Sequence, residues 1–368
     1  MNLGDYVKKH GLDPVTKNKV FLQFEDERIT FGEYLEQSIV YANMFLQMTK
    51  NKQGPFHVGV LMENYPEFLY AFGGCAMTGA TLVGVNTAQR GSNISRDINY
   101  CDCQVLITEN KYLDEVKNIF GEFKNVKKGE ILVNNKRESD KSLPEGFISL
   151  EEKLSRVEKQ MGTAAYRTAP VFEFPETTNQ MIIFTSGSTG APKGVINSHK
   201  KFMEQSDKFR VLINYGEKDV GYGVMPFFHS NTTYLSFIPA LLYAGGMGFR
   251  RRFSASGFLP DVKKFGCTVF NYVGKPLAYI LSTPEKPDDH DNPLRIALGN
   301  GASSEDQEKF RTRFGLDWVM EVYGATEGGV TTMRLPGDPG GSVGAMAPEY
   351  KILREDGKEA APANFDEN

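Results

Sequence analysis

Between Thr185 and Gly194 the chain reads Thr-Ser-Gly-Ser-Thr-Gly-Ala-Pro-Lys-Gly, directly after the apolar run Met181 to Phe184. Four hydroxyls (Thr185, Ser186, Ser188, Thr189), three glycines (Gly187, Gly190, Gly194) and one cation (Lys193) share this short segment. Glycine opens backbone conformations closed to other residues, so successive N–H groups can turn toward one anion. Hydroxyls add donors, and a lysine adds charge-assisted hydrogen bonds. Together these are the parts of a polyphosphate cradle. The loop is not a Walker A, which needs Gly-Lys-Ser/Thr after four intervening residues; here Pro192 precedes Lys193 and Gly194 follows it. A flexible Ser/Gly turn is the plain alternative, but so dense a set of hydroxyls and glycines ending in Pro-Lys-Gly is rare in such turns.

A cradle of this kind needs a rigid support. From Val58 onward, short β-branched runs alternate with helix-like segments. Strands are expected at Val58–Met62, Thr81–Val85, Val105–Thr108 and Met181–Thr185, with helices at Pro66–Thr78, Ser92–Tyr100 and Ser198–Leu212. Further strands are expected at Val220–Met225, Met247–Phe253, Thr268–Val273, Arg295–Leu298 and Trp318–Val322. This rhythm predicts α/β layers with largely parallel sheets. A charged stretch from Lys136 to Phe172 reads as a loop between two α/β blocks. The tail from Pro336 to Pro348 is rich in Gly and Pro, and Tyr350–Leu353 followed by Glu355-Asp-Gly357 reads as a hairpin.

Composition narrows the classes. The chain has 368 residues, with 42 Lys+Arg against 46 Asp+Glu, a net charge of −4. That balance gives no support to nucleic-acid binding. Four cysteines (Cys75, Cys101, Cys103, Cys267) are too few for a disulfide framework and lack metal-site spacing. The five histidines form no ligand motif. No apolar run reaches the length of a membrane span. The longest, Phe237 to Phe249, is broken by Pro239 and three glycines and ends in Arg250-Arg251-Arg252. It reads as a buried helix leading to a strand with a charged, solvated end. Coenzyme A phosphates or anionic lipid are the functional alternative for those arginines, and leave a peripheral membrane contact open.

The loop resembles the signature loop of the adenylate-forming superfamily, and the resemblance continues in order. Pro226-Phe-Phe-His-Ser230, Gly299-Asn-Gly-Ala-Ser303, Val322-Tyr-Gly-Ala-Thr-Glu-Gly328 and Gly341-Ser-Val-Gly344 are similar to the later motifs of that family. Phe253-Ser-Ala-Ser256, Cys267-Thr-Val269 and Arg313-Phe-Gly315 look most like the fatty-acid transport protein and very-long-chain acyl-CoA synthetase branch. The resemblance implies an α/β fold of two layered subdomains plus a small β-barrel. A large domain over 1–335 would divide into 55–205 and 8–50 with 220–330, and 336–368 would begin the barrel. It implies an ATP-dependent acid–thiol ligase, joining a carboxylic acid to AMP and then to coenzyme A, with ATP, Mg2+ and coenzyme A as small-molecule needs. The acid would be fatty, steroid-side-chain or carnitine-like, and a homodimer is left open. Animal members of the branch carry an N-terminal membrane segment; this sequence shows none, so a soluble, cytoplasmic relative is expected.

Site roles follow from the same resemblance. Thr185, Lys193, His229, Thr326 and Glu327 would serve catalysis, with Glu327 as the magnesium ligand and Thr326 donating to the α-phosphate. Ser186, Gly187, Ser188, Thr189 and Gly190 would hold the phosphates. Gly301, Ala302, Ser303, Tyr323 and Gly324 would hold the adenine. Relatives continue into a Thr-Gly-Asp motif and a C-terminal lid domain carrying a catalytic lysine. Neither occurs in these residues, so nucleotide binding with little ligase turnover is expected. An adenylating enzyme with a carrier-protein acceptor, or a non-catalytic nucleotide- or acyl-binding module, are the alternatives.

Overall fold

The computed structural model describes residues 1–49, 55–139, 142–162, 173–185, 192–329, 331–335, 337–338, 342–345 and 350–361. In chain order the strands are β1 (Val20–Phe24), β2 (Glu27–Thr30), β3 (His57–Leu61), β4 (Thr81–Gly84), β5 (Val105–Glu109), β6 (Ile131–Asn134), β7 (Phe147–Ser149), β8 (Asn179–Thr185), β9 (Lys193–Ser198), β10 (Val220–Gly223), β11 (Gly246–Phe249), β12 (Val269–Val273), β13 (Ile296–Asn300), β14 (Trp318–Tyr323) and β15 (Thr332–Met333).

They form two sheets. One has the order β7-β6-β5-β3-β4-β8-β9, parallel throughout except for β9, which runs antiparallel to β8. The other has the order β15-β14-β13-β12-β10-β11-β1-β2, parallel except for β15 and β2 at its two edges. Parallel strands covered on both faces need apolar residues at successive positions. Val105–Glu109 and Ile131–Asn134 are buried at every position for that reason.

Helices between the sheets tie them into one core. Phe31–Thr49 packs on Pro66–Thr78, whose Pro66 suits the first turn and whose C-terminus closes on the left-handed Gly79. The two backbones meet at Gly73 and Gly74, where a Cβ would lie 2.1 Å from Ser38 Oγ and 2.7 Å from Tyr41 Cβ. Tyr34 Oη donates to Leu69 O across the same contact at 2.9 Å. The resulting apolar cluster contains Phe21 of β1, Val58 of β3, Ile183 of β8 and Met247 of β11, so both sheets share it.

The alternation expected from sequence is present, but β1, β2 and β6 lie outside the expected strands, and three further differences stand beside them. The stretch from Lys136 to Phe172 is not all loop. It contains β7 and the helix Leu150–Met161, which is capped by Ser149 Oγ accepting from Glu152 N at 3.4 Å. Leu150, Leu154, Val157 and Met161 recur along it at helical spacing and pack on the core, so the loop expectation overlooked a legible helical period among the charges. β9 was not foreseen, since its residues alternate weakly. The tail shows, among the described residues, two isolated antiparallel bridges, Met333 with Ala345 and Leu353 with Glu359, and no closed barrel. The second bridge is the expected hairpin, closed by Arg354 N donating to Lys358 O at 2.8 Å.

Candidate active site

The Ser/Gly-rich loop joins β8 to β9. Thr185 and Lys193 are register partners in that ladder, so the loop leaves and returns at adjacent points on the sheet. Ser186, Gly187, Ser188, Thr189 and Gly190 lie outside the described residues. Glu327 comes to the same place from the turn after β14, and Thr185 Oγ1 donates to Glu327 Oε1 at 2.8 Å. The turn closes with Gly328 N donating to Ala325 O at 3.0 Å. Thr326, one residue earlier, is held from two sides. Lys201 Nζ donates to its carbonyl at 2.7 Å, and its hydroxyl shares a hydrogen bond with Ser230 Oγ at 2.9 Å. Lys201 sits in the first turn of the helix His199–Ile213, whose cap is Ser198. Segments near 185, 201, 230 and 327 thus converge on one spot.

The charges there favour an anion. The Thr185 hydrogen bond, with help from Lys193 and Lys201, holds the Glu327 carboxyl below the usual range. Burial lowers Lys201, and Glu327 opposes that shift. Lys193 is exposed and within electrostatic reach of Glu327.

Strands β12 and β13 end beside this point. Gly301 follows β13 with φ +79, a conformation that favours glycine, and a Cβ there would lie 3.3 Å from Gly274 Cα. Its N–H donates to Glu321 Oε1 at 2.7 Å, and Gln307 Nε2 donates to Glu321 Oε2 at 2.6 Å. Arg334 in turn donates to Gln307 Oε1. Glu321 therefore fixes the β13 turn from below, and burial raises its carboxyl. Ala302 is half-buried next to Gly301. Ser303 caps the helix Ser304–Phe314, its Oγ accepting from Asp306 N at 3.0 Å, so its hydroxyl is already engaged in the fold. Tyr323 ends β14 with 55% of its surface exposed, and Gly324 is exposed beside it.

A cavity of about 610 Å³ runs from Thr326 and Gly324 between His229, Ser230, Tyr234 and Leu235 on one side and the helix His199–Ile213 on the other. His229 is open to this space, yet the surrounding protein lowers its pKa by desolvation. Asn231 beside it is held by the fully buried Asn271, which also pairs with Ser236. A second cavity of about 430 Å³ shares Met225 and Val273 with the first and is also lined by Arg251, Arg252 and Lys275. The arginines after β11 are not a free basic patch. Arg250 Nε meets Asp261 Oδ2 at 2.5 Å, Arg251 bridges Glu63 (2.6 Å) and Glu109 (3.1 Å), and Arg252 Nη2 meets Glu63 Oε1 at 2.5 Å. They form the charged strand end, and they tie the two sheets together.

The donor set bears on a metal. Among the described residues no group of three His, Cys, Asp or Glu side chains could hold an ion. Magnesium arriving on nucleotide phosphates needs only one or two carboxylates, with phosphate and water oxygens completing its shell. One exposed carboxylate, Glu327, beside the phosphate-type loop fits that case.

Sequence reading passed over three residues of the site. Lys201 and Ser230 contact Thr326, and Glu321 holds Gly301. Ser230 stood within a quoted motif, and Glu321 faces inward from a strand end, which is a usable signal. Lys201 gives none, since its partner is 125 residues away.

Comparison with known proteins bears on the fold and the family. Steroid-22-oyl-CoA synthetase of Rhodococcus jostii (strain RHA1) is 34% identical over 358 residues, covering 97% of this chain and 60% of that protein. Long-chain fatty acid transport protein 6 of Homo sapiens is 29% identical over 337 residues, covering 91% of this chain and 52% of that protein. The chain thus spans about half to three-fifths of the length of these curated relatives. The fold matches the crystal structure of the anthranilate CoA ligase AuaEII in complex with anthranoyl-AMP, with a TM-score of 0.82 at 20% identity, over 99% of this chain and 68% of that one. The profile described as AMP-binding enzyme matches residues 14–365, and the chain belongs to that family.

Proposed function

We propose that this chain forms the ATP- and acid-binding part of an acyl-CoA synthetase, which joins a carboxylic acid to AMP with release of pyrophosphate and passes the acyl group to coenzyme A. The convergence of Thr185 and Glu327 carries this reading, because it brings the phosphate-type loop and an acidic turn to the same spot. Negative charge grows on the α-phosphate as the carboxylate attacks, and donors placed there lower the barrier. Lys193, Thr185 and the loop residues Ser186 to Gly190 would hold the β- and γ-phosphates, and Thr326 would donate to the α-phosphate. Glu327 would bind the magnesium that enters with ATP, and the bound ion would supply positive charge beside the phosphates. Gly301, Ala302, Gly324 and the open face of Tyr323 would receive the adenine.

The acid would lie in the larger cavity with its carboxylate beside His229 and Thr326. Coenzyme A would approach through the smaller cavity, whose back wall, Met225 and Val273, is shared with the acyl site. Lys275 at that cavity suits an anionic thiol carrier, whereas Arg251 and Arg252 there are already paired with Glu63 and Glu109. Four buried, free cysteines fit a reducing compartment such as the cytoplasm, and among the described residues no helix is long and apolar enough to cross a membrane.

Label transfer tests the reading. With α-labelled ATP, magnesium and a panel of aliphatic acids, label is expected in an acid-dependent acyl-adenylate. Label released only as free AMP at the same rate with and without acid would overturn it.

A further inference from the structure

The reacting end of the larger cavity carries a half-buried cation, Lys201, beside Ser230 and Thr326. From there the helix His199–Ile213 leads to Phe209 and Leu212, which form an apolar end with Leu235. Lys201 Nζ donates to the Thr326 carbonyl at 2.7 Å, its one hydrogen bond among the described residues. An ammonium has three N–H donors, so two are left over. None of the described residues lining the cavity is acidic. The other lining cation, Lys208, is exposed about two turns further along the helix. Burial lowers the pKa of His229 at the same end, so its ring is uncharged at neutral pH. Among the described lining residues, Lys201 therefore supplies the positive charge where the acid would react.

Adenylation brings two anions together. An oxygen of the carboxylate must form a bond to the α-phosphorus of ATP, and pyrophosphate leaves with the electron pair of the bond that breaks. The two anions repel on approach, and a cavity wall of low polarity screens them less than water does. A cation touching the carboxylate offsets that repulsion without giving up its proton. The anchor of Lys201 is the carbonyl of Thr326, the same residue whose hydroxyl would donate to the α-phosphate. We propose that Lys201 is a further catalytic residue, and that the N–H groups left over by the Thr326 carbonyl hold the carboxylate of the incoming acid. This rests on the acyl-activating reading above and assigns the group that orients its nucleophile. The acid's tail would then run along the helix toward Phe209 and Leu212.

The plain alternative is that Lys201 only ties its helix to the turn at Thr326. Titration calorimetry with octanoate, 1-octanol and MgATP separates the two, for the parent chain, Lys201→Gln and Lys201→Arg. Octanol has the same tail length and no charge. Glutamine keeps an N–H donor for the Thr326 carbonyl and loses the charge. Octanoate affinity should fall about tenfold or more in Lys201→Gln, the range of a lost charge-assisted contact. Octanol and MgATP should bind as they do to the parent chain, and Lys201→Arg should bind octanoate more tightly than Lys201→Gln does. Equal losses for octanoate and octanol, a matching loss for MgATP, or an octanoate affinity unmoved by Lys201→Gln would each overturn the proposal. In the adenylate-labelling assay the loss should appear in KM for the acid. A KM for octanoate in Lys201→Gln equal to that of the parent chain would sink the role of Lys201 and leave the acyl-activating reading standing. Failure of every acid to form an adenylate on the parent chain would instead bring down the acyl-activating reading, and this inference with it.

Discussion

Thr185 and Glu327 are 142 positions apart in the chain and 2.8 Å apart in space, hydroxyl to carboxylate. If the pair marks where magnesium meets the phosphates, its removal must act through the metal. Glu327→Gln keeps the shape and loses the charge. Affinity for MgATP should fall about tenfold or more, the range of a lost charged hydrogen bond of about 1.5–3 kcal/mol. Affinity for metal-free ATP should barely change, or rise slightly as repulsion is relieved. Titration calorimetry with and without chelator reads the difference. An equal loss in both conditions would show that Glu327 serves the fold and not the ion.

The Thr185 hydroxyl makes a separate, pH-dependent claim. Its hydrogen bond favours the charged form of Glu327 and is the largest cause of that carboxyl's lowered pKa. Thr185→Val removes the donor, so the carboxyl should titrate at higher pH in the variant. MgATP binding should then fade at a higher pH on acidification in Thr185→Val than in the parent chain. Profiles that superimpose after scaling would remove Thr185 from any role in setting the charge of Glu327.

A packing prediction concerns the contact between Phe31–Thr49 and Pro66–Thr78. In an exposed helix Gly→Ala stabilises by about 1 kcal/mol. At Gly73 the new Cβ would sit 2.1 Å from Ser38 Oγ and 2.8 Å from Tyr34 Oη, with little room to move. Overpacking should win, and Gly73→Ala should destabilise by about 1–3 kcal/mol. Ser38→Gly should recover part of that loss in the double variant, giving a favourable coupling in a double-mutant cycle. Urea unfolding measures all four states, and simple additivity would place the strain elsewhere.

These contacts also show what can be read from sequence. The strands of the sheet interiors are rich in β-branched and apolar residues because both faces are covered, and the run Val105–Thr108 declares itself without coordinates. The loop after Phe184 declares itself by chemistry, since hydroxyls, glycines and a lysine rarely gather for structural reasons alone. The helix Leu150–Met161 is legible by Leu150, Leu154, Val157 and Met161 at helical spacing, although the charges between them read as a loop. Lys201 is harder still. Its meaning lies in the carbonyl of Thr326, a backbone group that any residue would supply. Local pattern fixes elements, whereas the pairing of distant elements fixes which polar side chains are left unsatisfied.

That distinction yields a last prediction, at His199. The side chain is fully buried, and its Nδ1 accepts from Leu3 N at 3.2 Å, which places the ring proton on Nε2, an atom with no partner among the described residues. Burial pushes the pKa down to about 4. Below an unfolded value near 6.5 the unfolded chain takes up a proton that the folded chain refuses until about pH 4. Stability contributed at neutral pH is therefore lost as pH falls through that window. The loss by pH 5 should be about 2 kcal/mol relative to pH 7, since each unit of difference is worth about 1.4 kcal/mol. His199→Gln keeps an acceptor for Leu3 N and cannot titrate. His10 is shifted in the same direction by burial, so the variant should retain some acid sensitivity. The decisive quantity is the difference. The gap in unfolding free energy between parent and variant should move by about 2 kcal/mol in favour of the variant from pH 7 to pH 5. A gap that stays constant would mean that His199 is protonated with the chain folded, and that its contact with Leu3 N is not made by a neutral ring.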